Sequence, residues 1–235
     1  MISYVSRILI APFLRDEKSK IRLREWIFSC WARIFVKVSG MRLRVVGEKP
    51  ATPFLLVSNH LSYMDIAAFR STVKAVFVTK GEVESWFLAG KIVGDFGNIY
   101  INRQNKRDIP RAGNEIVNAL KRGENVIIFI EGTTSSGEQI LKFNSSFLAF
   151  AVENDLPVHY ASICYKTLRG EISARESVCW WRDEPGFGTH IFELFKMPSF
   201  DCTLTFGAKP LKSNDRKVLA NELWQAVNEQ FTPVE

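Results

Sequence analysis

Five consecutive apolar residues, Val126-Ile127-Ile128-Phe129-Ile130, stand between Glu124-Asn125 and Glu131-Gly132. A run this short and uniform reads as a strand covered on both faces, because a half-wet strand would alternate. Strands of that kind need helices on both sides of their sheet. The chain supplies the pattern: residues 43–46, 54–57, 75–78, 99–101, 158–164 and 202–206 read as further strands. Helices are expected from near Asp65, over 82–90, from Asp108 to about Lys121, and over 147–153 and 219–231. Asp108 and Pro110 suit a helix start, and Gly123 suits its end. Strands alternating with helices predict an α/β domain built on a largely parallel mixed sheet flanked by helices. In such sheets functional side chains gather beyond the carboxyl ends of strands.

Charge divides the chain. Of the net +6, residues 1–50 alone hold eleven Lys/Arg against four Asp/Glu. A basic head on a near-neutral body fits an anionic membrane surface, where each basic residue contributes about 1 kcal/mol. No nucleic-acid motif accompanies the charge, so a DNA or RNA partner is not expected. Within 1–40, Ile8, Leu9, Ile10, Phe13 and Leu14 form an apolar cluster too short to span a bilayer, bracketed by Arg7 and Arg15. No small-residue cleavage site follows, so it does not read as a signal peptide. Residues 21–38 read as an amphipathic helix, with Arg22, Glu25, Ser29, Arg33 and Lys37 on one side. Leu23, Ile27, Trp31, Ile34, Phe35 and Val38 fall on the other. Two fates stand open for that apolar face: packing on the domain, or lying in a membrane interface. The expected division is therefore a membrane-associating helical segment over 1–40 and a catalytic body over 41–235. The four cysteines form no Cys-x-x-Cys pair, which argues against zinc and a disulfide framework.

Two polar breaks follow predicted strands. Asn59-His60-Leu61-Ser62-Tyr63-Met64-Asp65 places a histidine and a carboxylate five positions apart, in a chain with three histidines. That spacing misses a helical face but works if His60 lies on the turn and Asp65 curls back from the first helical turn. A carboxylate on the imidazole N–H fixes the tautomer and supports the imidazolium that forms on proton transfer. There is no Gly-x-Ser-x-Gly elbow and no second histidine at metal spacing, so the base is expected to act on a substrate hydroxyl. The second break, Glu131-Gly132-Thr133-Thr134, offers hydroxyls and backbone N–H groups suited to an anion. Gly97-Asn98-Ile99-Tyr100-Ile101-Asn102-Arg103 ends a strand with an arginine, whose fork suits phosphate, and Lys80 and Lys142 add charge. Trp180-Trp181-Arg182-Asp183 reads either as a lining of the acyl or acceptor site or as a buried strand end. No Walker or Gly-x-Gly-x-x-Gly stretch is present.

Together these residues resemble the glycerolipid (lysophospholipid) acyltransferase family typified by bacterial 1-acyl-sn-glycerol-3-phosphate acyltransferase. Asn59-His60 through Asp65 is similar to its Asn-His-x-x-x-x-Asp motif. Gly97 to Arg103 is similar to Gly-x-x-Phe-Ile-x-Arg with Tyr100 for Phe, and Phe129-Ile130-Glu131-Gly132-Thr133 to Phe-Pro-Glu-Gly-Thr. Leu156-Pro157-Val158 is like the start of the fourth motif. The resemblance implies acyl transfer from acyl-CoA or acyl-carrier protein to a lysophospholipid hydroxyl, with His60 as general base and Asp65 its partner. Asn59, Arg103, Glu131, Gly132, Thr133 and Thr134 would bind substrate; no metal or redox cofactor is implied. It also implies work at the cytoplasmic membrane face. Ile130 replaces the third motif's proline, and Thr134 stands where an arginine commonly follows Glu-Gly-Thr. The second departure leaves lysophosphatidate and other acceptors, lyso-ornithine lipid among them, both open, alongside a catalytically silent lipid binder.

Overall fold

The computed structural model describes residues 16–81, 96–102, 108–182 and 186–235, the side chain of Lys80 excepted. The apolar cluster at 8–14, the helix expected over 82–90, Arg103 and Asp183 lie outside the described residues.

Seven strands form one sheet in the order β1-β7-β6-β2-β5-β3-β4. They are β1 (Met41–Val46), β2 (Leu55–Ser58), β3 (Val76–Lys80), β4 (Ile99–Ile101), β5 (Val126–Phe129), β6 (Val158–Thr167) and β7 (Phe200–Phe206). Strands β6, β2, β5, β3 and β4 run parallel, while β7 is antiparallel to β6 and carries β1 beside it in its own direction. The architecture is the expected α/β fold with a largely parallel sheet flanked by helices.

The five-residue run behaves as its composition dictates. Val126, Ile127, Ile128 and Phe129 are all buried, because helices cover both faces of β5. On one side pack α1 (Glu17–Val38), α2 (Met64–Thr72), the short α5 (Ala174–Ser177) and α6 (Phe187–Lys196). On the other pack α3 (Asp108–Lys121), a 3-10 turn at Ser145–Leu148 running into α4 (Ala149–Glu153), and α7 (Arg216–Gln230). Each buried Ile, Val or Phe contributes about 1.5–3 kcal/mol, so the two layers fix the sheet that carries the site.

Helix α1 departs from the expectation of a membrane segment set apart from the domain. Ile27, Phe28 and Ala32 are core residues, and Ser29, placed on the polar stripe by periodicity, is buried. Phe28 stacks on Phe96 at 3.8 Å, and the guanidinium of Arg70 lies 4.7 Å over its ring. Arg70 donates to the Glu25 carbonyl of α1 at 2.8 Å and to the Ala75 carbonyl at 3.1 Å. Arg24, which broke the apolar pattern, reaches the buried carboxylate of Glu124 instead of solvent. An amphipathic face packs on whatever apolar surface lies nearest, and here that surface is the body of the fold. Ile34 and Val38, however, remain 63% and 65% exposed.

Candidate active site

β2 lies between β5 and β6, with Ser58 opposite Phe129 on one side and Ala161 on the other. It stops at Ser58, while β6 continues to Thr167 against β7. The two polar breaks thus emerge side by side at the carboxyl ends of adjacent parallel strands.

Asn59 occupies the position after the strand. Its side-chain amide donates to the Ile163 carbonyl at 2.9 Å, and its carbonyl accepts from the Ile163 N–H at 2.8 Å. The side chain substitutes for the peptide that β2 no longer supplies. Asn59 has no exposed surface, so it appears in the structure as a strut beneath the site and not among groups open to a ligand.

His60 and Asp65 meet as the five-residue spacing required. Asp65 sits in the first turn of α2, and its Oδ2 lies 2.7 Å from His60 Nδ1. The same oxygen accepts the N–H groups of Leu61 at 2.7 Å and Ser62 at 3.1 Å. Its Oδ1 accepts the hydroxyl of Tyr165 at 2.5 Å. A fully buried carboxylate surrounded by four donors is compensated for its lost hydration. A carboxylate can only accept, so Nδ1 carries the imidazole proton and Nε2 keeps a free lone pair. The His60 ring stacks on Phe129 at 4.1 Å, 9° from parallel, and Phe129 stacks on Phe77. Its side chain is 19% exposed, so the ring is held from below and reachable from one side.

The second break supports the first. Glu131 Oε2 accepts the His60 N–H at 2.7 Å, and Oε1 accepts the Leu141 N–H at 2.7 Å. Burial pushes the Glu131 carboxyl up to about 8; the two N–H bonds oppose the shift and the Asp65 charge adds to it. Each oxygen thus holds one backbone N–H, which makes Glu131 a brace between two loops. Gly132 adopts φ 82, a left-handed bend that glycine takes without strain. Beyond it Thr133 is exposed and Thr134 half-buried, with the Ser135 N–H bonded to the His60 carbonyl at 2.9 Å. The Ser135 hydroxyl is buried without a hydrogen-bond partner. Lys142 is exposed. Trp180 is no strand end: its backbone N–H donates to the Leu61 carbonyl at 2.8 Å, and its ring meets Tyr63 at 5.8 Å. Tyr165, Ile163 and Leu141 carry no local sequence signal for these contacts, which join residues up to 104 positions apart.

A family model described as Acyltransferase matches residues 36–164, which holds every element just described except α5 to α7, β7, the last three residues of β6 and most of α1. Among relatives, a lyso-ornithine lipid O-acyltransferase from Rhizobium meliloti (strain 1021) is 28% identical over 197 residues, covering 80% of this chain and 68% of that protein. A 1-acyl-sn-glycerol-3-phosphate acyltransferase from Neisseria gonorrhoeae is 29% identical over 175 residues, covering 74% and 67%. The crystal structure of the 1-acyl-sn-glycerophosphate (LPA) acyltransferase PlsC from Thermotoga maritima has the same fold. It superposes with a TM-score of 0.64 at 21% identity, covering 96% of this chain and 88% of that one. With a match over more than half its length, the chain belongs to the acyltransferase family, and it is an O-acyltransferase.

Proposed function

We propose that the protein transfers a fatty acyl group from an acyl thioester to the free hydroxyl of a lysophospholipid, with His60 as general base. The observation that carries this reading is the His60–Asp65 contact of 2.7 Å, which leaves Nε2 as the only basic lone pair of the ring. Nε2 takes the proton from the acceptor hydroxyl as its oxygen attacks the thioester carbonyl. The C–S bond then breaks, and the departing thiolate takes the proton back from the imidazolium. The proton is conserved and no acyl-enzyme forms. Asp65 stabilises the transient imidazolium, and general-base work of this kind contributes about 10²–10⁴-fold. Glu131 and Asn59 hold the His60 backbone in place. Gly132, Thr133 and Thr134 follow Glu131 on the loop bonded to the His60 carbonyl and are the groups offered to the substrate, with Arg103 as the candidate cation for a phosphate.

The acceptor proposed first is 1-acyl-sn-glycerol-3-phosphate, giving phosphatidate. Thr134, uncharged where an arginine commonly stands, favours a second reading, a lyso-ornithine lipid. The donor is acyl-CoA or acyl-carrier protein. Work at an anionic membrane surface is part of the proposal; no helix among the described residues is long and apolar enough to cross a membrane.

The test is an acyl-transfer assay pairing each donor with lysophosphatidate, lyso-ornithine lipid and lysophosphatidylglycerol. Wild type should give product with at least one acceptor, and His60→Ala should lose it while keeping its circular dichroism spectrum. Equal turnover by both removes His60 as the base. Product from lyso-ornithine lipid alone keeps the mechanism and reassigns the acceptor.

A further inference from the structure

Helix α6 has ten residues, of which only His190 and Leu194 are buried. Phe192 is 62% exposed, Phe195 40% and Phe187 38%. Three phenylalanines on the outside of so short a helix form a patch that water does not favour.

The patch continues at both ends. The Phe195 ring meets Phe35 of α1 edge-on at 5.6 Å, and Phe35 stacks on Trp31 at 5.2 Å. Ile34 and Val38, the two most exposed aliphatic residues of α1, flank Phe35 on that helix. At the other end Phe187 packs on Tyr63 at 5.0 Å and on Trp180 at 5.5 Å. Tyr63 follows His60 by three residues, and Trp180 bonds the Leu61 carbonyl. One apolar strip therefore runs from the outer edge of α1, along α6, to the turn that carries His60.

Its borders are basic. Lys196 Nζ lies 4.4 Å over the Phe192 ring, paired with Glu193 at 2.7 Å, and Lys37 of α1, three residues from Ile34, is exposed at the strip's edge. Aromatic rings beside cations match the boundary between anionic headgroups and acyl chains. Residues 1–50, which include α1, hold eleven Lys/Arg against four Asp/Glu, so a second copy of the chain would set like charge against like, and an anionic lipid surface fits the strip better.

We propose that α6 and the exposed edge of α1 together form the face that rests on an anionic bilayer, and that the lysolipid reaches His60 along this strip. The inference rests on the reading of a lipid-borne acceptor and adds to it the surface that delivers the acceptor. Sequence periodicity pointed to α1 alone; the structure points to α6.

The test uses the full chain with Phe192→Ser/Phe195→Ser; none of the ring contacts of Phe192 or Phe195 given above is to His60 or Asp65. Co-sedimentation with phosphatidylcholine vesicles containing phosphatidylglycerol should weaken about tenfold or more. Transfer to an acceptor embedded in those vesicles should fall in parallel. Transfer to a short-chain acceptor dissolved below its micelle-forming concentration should stay within about twofold, since that route bypasses the surface. Phe192→Trp/Phe195→Trp should keep vesicle binding. Wild-type vesicle binding by the serine pair, with its fold intact, overturns the proposal. So does a wild-type dimer that the serine pair dissociates without change in vesicle binding. If wild type transfers to no acceptor, the acyltransferase mechanism falls and the sedimentation result alone decides the surface.

Discussion

If His60 is the base, the hydroxyl of Tyr165 bears on catalysis through Asp65. It donates to Asp65 Oδ1 at 2.5 Å, on the oxygen opposite the one that holds His60. Burial, with the Asp65 charge adding to it, raises the phenol well above its ordinary value, so it stays a donor across the working pH range. Tyr165→Phe removes only that donor; Tyr165 is fully enclosed, and its ring neighbour Phe200 at 6.0 Å is untouched. A hydrogen bond to a charged group is worth about 1.5–3 kcal/mol against about 1 for a neutral one. The difference, about 0.5–2 kcal/mol, is what the buried carboxylate gains from this donor and loses in the variant. With one of its four donors gone, Asp65 is held less firmly against His60, and kcat on a dissolved acceptor should fall by about 2- to 30-fold while KM stays near wild type. The assay is steady-state kinetics on a dissolved acceptor, with thermal unfolding run beside it. A folded Tyr165→Phe variant that keeps the wild-type kcat would refute the coupling, and a loss confined to KM would assign the hydroxyl to substrate binding instead.

Asn59→Ala strands the Ile163 N–H and carbonyl in the core, which should cost about 2–4 kcal/mol in urea unfolding; a loss under 1 kcal/mol would show that the strands close up without it. Glu131 keeps its proton in the fold up to about 8 but loses it near 4.5 when unfolded, so stability falls as pH rises between those values. Glu131→Gln should flatten that part of the Tm profile, and an unchanged slope would assign it to another group. Gly137 has φ 79, and an added Cβ would lie 2.6 Å from Val234 Cγ2. Gly137→Ala should therefore lower Tm, whereas an unchanged Tm would mean that the C-terminal tail yields.

Strand β5 was legible because 126–130 is apolar throughout, too short for a typical helix and bounded by Glu124-Asn125 and Glu131-Gly132, as a strand covered on both faces requires. The His60–Asp65 pair was legible because a turn followed by a helix start allows one geometry at that spacing. Helix α6 escaped because it is only ten residues long and buries His190 and Leu194 while much of its apolar arc, Phe187, Phe192 and Phe195, faces outward, so its period does not mark the buried side. Tyr165 escaped for a different reason, as its contact with Asp65 spans 100 residues and follows from strand order alone. Asn59 and Glu131 stood out as polar residues in the right places, yet sequence assigned them to the substrate. A polar side chain beside a strand end can serve a ligand or stranded backbone, and the structure shows the backbone contacts of both residues, which their local sequence does not reveal.

Strand order also sets a timetable. In the sheet β1 is paired with β7, its register running from Met41–Phe200 to Val46–Thr205. The first of the described strands thus waits for the last. Until then β1, an edge strand whose sheet partner is β7, keeps its backbone N–H and carbonyl groups open to another chain. Contacts this distant in sequence close slowly. A nascent chain halted before residue 200 should be captured by chaperone or lipid, and completion of β7 is the event that converts that adhesive intermediate into the finished fold.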